Sequence, residues 1–157
     1  MSTYYGALDK SLQESRNVEF LAKPYASVCL NTGDNALSKR HRDLYNLLLG
    51  LCAILALGDF DSKLGGCLVL EEARVIVELA PGDVFLFPSA MFTHWNITIQ
   101  PYEKRNSMAY WTSGNVFLWA ELDGAGLSKL SKEERTAFEL RREGLQAQLR
   151  SHFPIVA

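Results

Sequence analysis

Short apolar segments separated by turn-forming residues fill the middle of this chain. Between residues 67 and 122 they recur with turns roughly every eight to twelve residues, the spacing of a β-sandwich or barrel. We predict strands at residues 25–31, 47–57, 67–71, 74–79, 84–87, 93–99, 107–112 and 116–122. The Leu- and Ala-rich segment 47–57 has the composition of a buried helix, but the turn residues that follow it favour a strand buried on both faces.

Helical patterns flank the strands. Near the N-terminus, a short amphipathic helix is predicted by the apolar spacing of Tyr4, Tyr5, Leu8 and Leu12. Toward the C-terminus, Ser131 and Glu134 have the spacing of a capping box that opens a helix at about 131–151. Its thin apolar stripe comprises Phe138, Leu145, Leu149 and Phe153. We therefore predict one domain over 1–157, mainly β with flanking helices, whose core at about 25–122 is a double-stranded β-helix (jelly-roll, cupin-like).

Composition narrows the class of protein. At 157 residues the chain is long enough for one buried core. Its net charge of −2 gives no global electrostatic attraction to nucleic acid. The longest apolar run, 47–57, is too short to span a bilayer, and the first residues lack a signal-peptide core. We expect a soluble, intracellular protein without a membrane partner.

The three cysteines also indicate an intracellular protein. Cys29, Cys52 and Cys67 are odd in number, and each lies in an apolar, strand-like stretch. Buried free thiols in a reducing compartment are a better interpretation than disulfides or metal ligands.

Candidate chemistry begins with the histidines. His41 and Asp43 form a His-x-Asp motif, and two residues at this spacing on one strand point to the same side. His94 follows about fifty residues later, where a jelly roll would fold back beside them. Two imidazoles and one carboxylate bind Fe(II) on one face and leave positions open for oxygen chemistry. The simpler alternative is a solvated His-Arg-Asp loop and a hydrogen-bonded core histidine.

Arg105 and Ser107 favour the iron site. 2-Oxoglutarate chelates iron at one end, and its far carboxylate then needs a counter-charge that a planar guanidinium supplies well. Arg105 opens an apolar strand, and Ser107 shares its face and can add a hydrogen bond. The order His-x-Asp, His, Arg-x-Ser thus predicts Fe(II) and 2-oxoglutarate as cofactors.

From about Asn31 to Trp119 the sequence resembles the TET/JBP-like Fe(II)/2-oxoglutarate dioxygenases, particularly the fungal, transposon-associated branch. The matching landmarks are His41-Arg42-Asp43, Ala56-Leu57-Gly58-Asp59-Phe60-Asp61, Gly65-Gly66, Pro81-Gly82-Asp83, Pro88-Ser89-Ala90, His94, Gln100-Pro101, Glu103, Arg105, Gly114, Phe117 and Trp119. Fungal members usually carry a longer N-terminal region, so the resemblance implies a compact version of that family.

The resemblance implies an oxidoreductase with a double-stranded β-helix, in which His41, Asp43 and His94 bind iron and Arg105 holds 2-oxoglutarate. Family members use O2 to oxidise methyl groups of flipped bases, 5-methylcytosine or thymine, in DNA, which would place this protein in the nucleus. Candidate pocket residues are Asn31, Asn46, Trp95, Asn96, Tyr110 and Trp111, with Trp95 placed to stack on a base.

Two alternatives stay open. The same iron site can act on a small metabolite or a protein side chain, which the modest charge and the absence of a basic tract favour slightly. Gly82, Pro88, His94 and Asn96 also loosely match a cupin motif, which would make the barrel a metal-binding isomerase or a non-catalytic binding module.

Overall fold

The structure, a computed structural model, describes residues 6, 10, 23–122, 124 and 126–151. Within those ranges it contains seven strands: β1 (Ser27–Asn31), β2 (Cys52–Asp59), β3 (Leu68–Leu70), β4 (Val75–Val77), β5 (Val84–Phe87), β6 (His94–Asn96) and β7 (Lys104–Trp111). They are followed by helix α1 (Gly114–Glu121), a 3₁₀ turn (Leu127–Lys129) and helix α2 (Lys132–Ser151). The predicted N-terminal helix on Tyr4, Tyr5, Leu8 and Leu12 lies outside the described residues.

The strands form two antiparallel sheets. One has the order β1-β7-β2-β5 and the other the order β4-β3-β6. The buried apolar cluster takes side chains from both sheets and from their connections, namely Ala56, Phe60, Leu68, Leu70, Leu79, Phe87 and Ile99. Burial of this cluster is the main force that holds the sheets together.

A glycine allows β2 to lie against the start of β7. Gly58 has a φ of +124°, and a Cβ on it would lie 2.1 Å from the backbone oxygen of Lys104. Only glycine combines this backbone conformation with such a close approach. The contact fixes the pairing of Gly58 with Arg105, and so the position of a candidate site residue on β7.

The chain divides into two compact units, Met1–Leu118 and Trp119–Ala157. In the second unit, the start of α2 is a capping box, as predicted. The backbone N–H of Glu134 donates to Ser131 Oγ at 3.2 Å, and the backbone N–H of Ser131 donates to a Glu134 carboxylate oxygen at 2.8 Å. The hydrogen bond that the Ser131 backbone donates to the carboxylate, with a smaller contribution from the Ser131 hydroxyl, lowers the pKa of Glu134. Phe138 is buried, whereas the side chains of Leu145, Leu149 and Phe153 lie outside what the structure describes.

The strand predicted at 116–122 is wrong, because residues 116–121 belong to α1 and Leu122 lies in the turn that follows it. A short continuous apolar run has no periodicity that separates a strand from a buried helix. Hydrogen bonds at the two ends of this run favour the helix. Ser113 Oγ accepts the backbone N–H of Asn115 at 3.3 Å, as an N-cap does, and Gly124, with a φ of +79°, donates its N–H to the Trp119 carbonyl.

Other predictions needed smaller corrections. The strand predicted at 47–57 begins only at Cys52, because Gly50 donates its N–H back to the Leu47 carbonyl and closes a turn. All three cysteines are free, as predicted, but Cys29 is exposed because β1 is an edge strand. None of the helices in the described ranges is long and apolar enough to cross a lipid bilayer.

Candidate active site

His41, Asp43 and His94 lie together. Their potential ligand atoms are all within 4.8 Å of one another, which is close enough to bind a single metal ion. His94 is buried on β6, whereas His41 and Asp43 come from the segment between β1 and β2. Two chain segments about fifty residues apart in sequence therefore supply one donor set.

Backbone hydrogen bonds hold these segments together. The N–H of His41 donates to the His94 carbonyl at 3.0 Å, and the N–H of His94 donates to the His41 carbonyl at 2.8 Å. Two residues later, the N–H of Asp43 donates to the Ser89 carbonyl at 3.2 Å. The prediction that His41 and Asp43 lie on one strand is wrong. His41 forms an isolated bridge with His94, and Asp43 lies in the loop beyond it.

Both imidazoles are oriented by the main chain. Nδ1 of His41 is 2.6 Å from the carbonyl oxygen of Lys39, and Nδ1 of His94 is 2.9 Å from that of Phe92. A carbonyl oxygen can only accept, so each Nδ1 carries the proton and each Nε2 keeps a free lone pair. This is the tautomer that binds a metal through Nε2.

The charge state of the cluster also suits a metal. Burial lowers the pKa of His94, and this outweighs the opposite effect of the hydrogen bond to Phe92, so the ring is neutral at pH 7. Asp43 lies beside His41, with one carboxylate oxygen 3.4 Å from Nε2. The other oxygen accepts a hydrogen bond from the Asn46 amide at 3.3 Å. Two imidazoles and one oriented carboxylate are the donor set that suits Fe(II).

Arg105 is a buried cation on β7 with a solvent-exposed fraction of only 3%. One terminal N–H donates to the Ala36 carbonyl at 2.8 Å, but Nε has no hydrogen-bond partner in the described part of the chain. Phe60 lies beneath the guanidinium, 5.8 Å from ring centroid to Cζ. Burial lowers the pKa of Arg105, because removal from water disfavours the charged form, and no described carboxylate forms an ion pair with it. An unpaired buried donor and an uncompensated charge suit an anionic ligand.

Ser107 and Asn31 lie beside Arg105 on paired strands. Ser107 is buried, and its Oγ accepts a hydrogen bond from the Asn31 amide at 3.1 Å. The Ser107 hydroxyl proton is thus left to donate elsewhere. Arg105 and Ser107 share one face of β7, so both can approach the same carboxylate.

One cavity of about 880 Å³ is lined by all five of these predicted metal and cosubstrate residues. Its lining also includes four of the six predicted pocket residues, namely Asn31, Asn46, Asn96 and Trp111. Trp95 and Tyr110 do not line it, which corrects that part of the prediction. Trp95 alternates with His94 and Asn96 along β6, and Tyr110 alternates with Trp111 along β7, so both point to the opposite faces of their strands.

The side chain of Asn96 holds a neighbouring loop in place. Its side-chain oxygen accepts the N–H and the hydroxyl of Ser38, at 2.6 and 2.7 Å, and its amide donates to the Ala36 carbonyl at 3.2 Å. Asn96 therefore fixes the loop whose Ala36 carbonyl also binds Arg105. Ala36 could not be predicted as a site residue, because a backbone carbonyl has no side-chain signature.

Cys52 lines the cavity but is not suited to bind a metal. Burial and the nearby Asp43 carboxylate raise the pKa of its thiol to about 12. Because metals bind the thiolate, this side chain contributes a small neutral wall.

No protein-family model and no curated protein sequence matches this chain significantly. Solved structures do match. NgTET1 in complex with 5mC DNA superimposes with a TM-score of 0.56 at 21% identity, over 73% of this chain and 42% of that chain. The viral collagen prolyl hydroxylase vCPH from Paramecium Bursaria Chlorella virus-1, as a 2OG complex, gives a TM-score of 0.38 at 11% identity, over 55% of this chain and 60% of that one.

The match to NgTET1 shows the fold, and the prediction of a mainly β, jelly-roll core with flanking helices is confirmed. This chain spans less than half the length of the NgTET1 chain. The structure thus combines the fold of NgTET1 with a His-Asp-His cluster that can hold a divalent metal ion and with a buried arginine in the wall of the same cavity.

Proposed function

We propose that this protein is an Fe(II)- and 2-oxoglutarate-dependent dioxygenase. The observation that carries the proposal is the wall of one cavity, where His41, Asp43 and His94 cluster and the guanidinium of Arg105 is buried with an unpaired Nε. A metal site alone would suit many proteins. A metal site that shares a cavity with an uncompensated cation is what a chelating dicarboxylate requires.

Each residue would have a distinct task. The three ligands hold the ion on one face, and Arg105 with Ser107 binds the far carboxylate of 2-oxoglutarate. When bound, the ferrous ion and 2-oxoglutarate supply oxygen activation, with succinate and carbon dioxide as by-products. Asn46 orients Asp43 through its amide, and Asn31 orients the Ser107 hydroxyl. The protein thus provides geometry and a walled cavity around the reacting atoms.

We further propose that the substrate is the methyl group of a modified nucleobase, 5-methylcytosine or thymine, in DNA, with a nuclear location. NgTET1, whose fold this chain shares, was solved with 5mC DNA. Apolar side chains line the cavity and are exposed, which suits an uncharged planar group: Leu30, Leu37, Leu44 and Tyr45. Tyr45 is 82% exposed and Leu44 75%, so both can cover an incoming base.

A small metabolite or a protein side chain is the second candidate. The two arginines beside His41, Arg40 and Arg42, favour it, because both are already paired with carboxylates. Arg40 forms a bidentate ion pair with Glu71, at 2.6 and 2.7 Å, and Arg42 is paired with Glu72. Those two arginines are therefore less available to bind DNA phosphates.

The test is succinate release by the anaerobically reconstituted protein, measured with a methylated duplex oligonucleotide and with a panel of metabolites and peptides. We expect Asp43→Asn to lose both metal binding and turnover while it stays folded. Glu139→Gln, an exposed site in the second unit, is the matched control and should change neither. Wild-type turnover in Asp43→Asn would refute the proposal. Turnover without oxidation of the oligonucleotide would refute the DNA substrate alone.

A further inference from the structure

The turn between β3 and β4 carries two adjacent acidic residues, Glu71 and Glu72, and neither is a potential metal ligand in the described cluster. Each is paired with one of the two arginines that flank His41. Glu71 binds Arg40, and Glu72 binds Arg42. The turn is thereby tied to the loop that carries the first two members of the metal cluster.

Glu72 and Arg42 also share a third residue, Thr93. Nε of Arg42 donates to Thr93 Oγ1 at 2.9 Å, and Thr93 Oγ1 donates to a carboxylate oxygen of Glu72 at 2.7 Å. The other carboxylate oxygen accepts the backbone N–H of Thr93 at 2.7 Å. With the Arg42–Glu72 ion pair, these contacts close a ring of side chains, the Arg42–Glu72–Thr93 network.

The network matters because two of its members are direct neighbours of the proposed metal ligands in the sequence. Arg42 lies between His41 and Asp43, and Thr93 immediately precedes His94. The network therefore joins the two ligand-bearing segments through side chains, in addition to the backbone bridge between His41 and His94. Thr93 is buried, and the Glu72 side chain is 23% exposed. Partly buried charge-assisted hydrogen bonds hold geometry better than exposed ion pairs do.

We propose that Arg42, Glu72 and Thr93 are positioning residues that set the geometry of the metal site. This inference rests on the proposed function, because it takes the His-Asp-His cluster as a metal site. The network touches no ligand atom and acts through the neighbouring backbone. Partners that hydrogen-bond directly to metal ligands typically change metal affinity about 10- to 100-fold when they are removed. Because this network acts through the backbone, we expect an effect at the lower end of that range.

Arg40 and Glu71 provide an internal comparison. Their pair is more exposed, at 63% for Arg40 and 41% for Glu71, and no Arg40 contact to Thr93 occurs among the described hydrogen bonds. Substitution of Arg40 removes a similar charge at the same distance in sequence from His41. It should leave the metal site almost unchanged, because exposed ion pairs contribute little.

The test is direct titration of the full chain with Co²⁺, followed by visible absorption under anaerobic conditions, so that no turnover is needed. We expect Thr93→Val, which keeps the shape but loses the hydroxyl, to raise the Co²⁺ Kd by about 10-fold or more. Thr93→Ser keeps the hydroxyl and should restore wild-type affinity. Arg42→Met should resemble Thr93→Val, and Arg40→Met should resemble wild type. Urea denaturation at the same temperature reports whether each variant is folded.

Several results would overturn the inference. Unchanged Co²⁺ affinity in Thr93→Val, or equal losses in Thr93→Val and Thr93→Ser, would show that the hydroxyl has no positioning role. Equal losses in Arg40→Met and Arg42→Met would reduce the effect to general loss of charge. Wild-type protein that binds no Co²⁺ would instead refute the proposed function, and the positioning role with it.

Discussion

Replacement of Arg105 by methionine should separate cosubstrate binding from folding. Two arginines are among the described residues that line the cavity, and Arg42 is already paired with Glu72. The variant therefore loses the arginine that has no carboxylate partner in the described part of the chain and can pair with the far carboxylate of 2-oxoglutarate. Truncation of one member of a buried charge pair typically costs about 2–5 kcal/mol, so the Kd for 2-oxoglutarate should rise about 30- to 5,000-fold.

The unfolding free energy should change much less. The variant loses the hydrogen bond from the charged guanidinium to the Ala36 carbonyl, worth about 1.5–3 kcal/mol, but that oxygen still accepts the Asn96 amide. In return, an unpaired buried Nε, which costs about 1–3 kcal/mol, disappears. Methionine is unbranched and can keep the contact with Phe60. The two terms nearly cancel, so we expect the free energy of unfolding to lie within about 2 kcal/mol of the wild-type value.

Calorimetric titration with 2-oxoglutarate in the presence of Mn²⁺ measures the first effect, and urea denaturation measures the second. Arg105→Lys keeps the charge but loses the planar fork, so it should bind with intermediate affinity. Arg135→Met, an exposed change in the second unit, is the control. The reasoning would be refuted if Arg105→Met bound 2-oxoglutarate normally, or if it lost about 3 kcal/mol of stability, since the cation would then be a structural element.

Three further outcomes follow from local geometry. Gly58→Ala should destabilise the protein by more than ~3 kcal/mol in urea denaturation, because strain at positive φ is joined by a backbone clash, whereas Gly82→Ala, with a φ of +95° and open space, should cost about 1–2 kcal/mol. Similar costs would contradict the clash. Ser131→Ala should weaken the start of α2 by about 1 kcal/mol, measured by amide hydrogen exchange in its first turn, and unchanged protection there would refute the cap. Burial acts to raise the pKa of Glu72, but hydrogen bonds from Thr93 and Arg42 outweigh it and lower this pKa to about 2. Its contribution to stability is therefore complete above the ordinary pKa of 4.5 and is lost as the pH falls through about 2, so a carboxyl NMR titration with a midpoint near 4.5 would contradict the network.

The sequence predicted the chemistry-bearing residues better than it predicted their surroundings. His41, Asp43 and His94 were recognisable because ligand chemistry restricts residue type and spacing, and the structure brings them together. Arg105 was recognisable because a cation at the start of an apolar strand needs a reason to be there. Their roles as ligands and as a cosubstrate anchor stay predictions until binding is measured.

The features that could not be predicted from the sequence depend on contacts between residues far apart in the chain. The side to which Trp95 points depends on the register of β6 against β3, which one residue of slip would reverse. The pairing of Arg42 with Glu72 joins residues 30 positions apart, and the charges alone allow many other partners. The residues of α1 became a helix because of hydrogen bonds at its ends, which a central apolar run does not reveal.

The acceptors that fix both imidazole rings, the oxygens of Lys39 and Phe92, belong to peptide groups. Any amino acid at position 39 or 92 supplies the same oxygen, so mutation at those two positions leaves the acceptor in place. The preference for an Nε2 lone pair is therefore robust to sequence drift, while substrate choice remains free to evolve through the exposed side chains around the cavity.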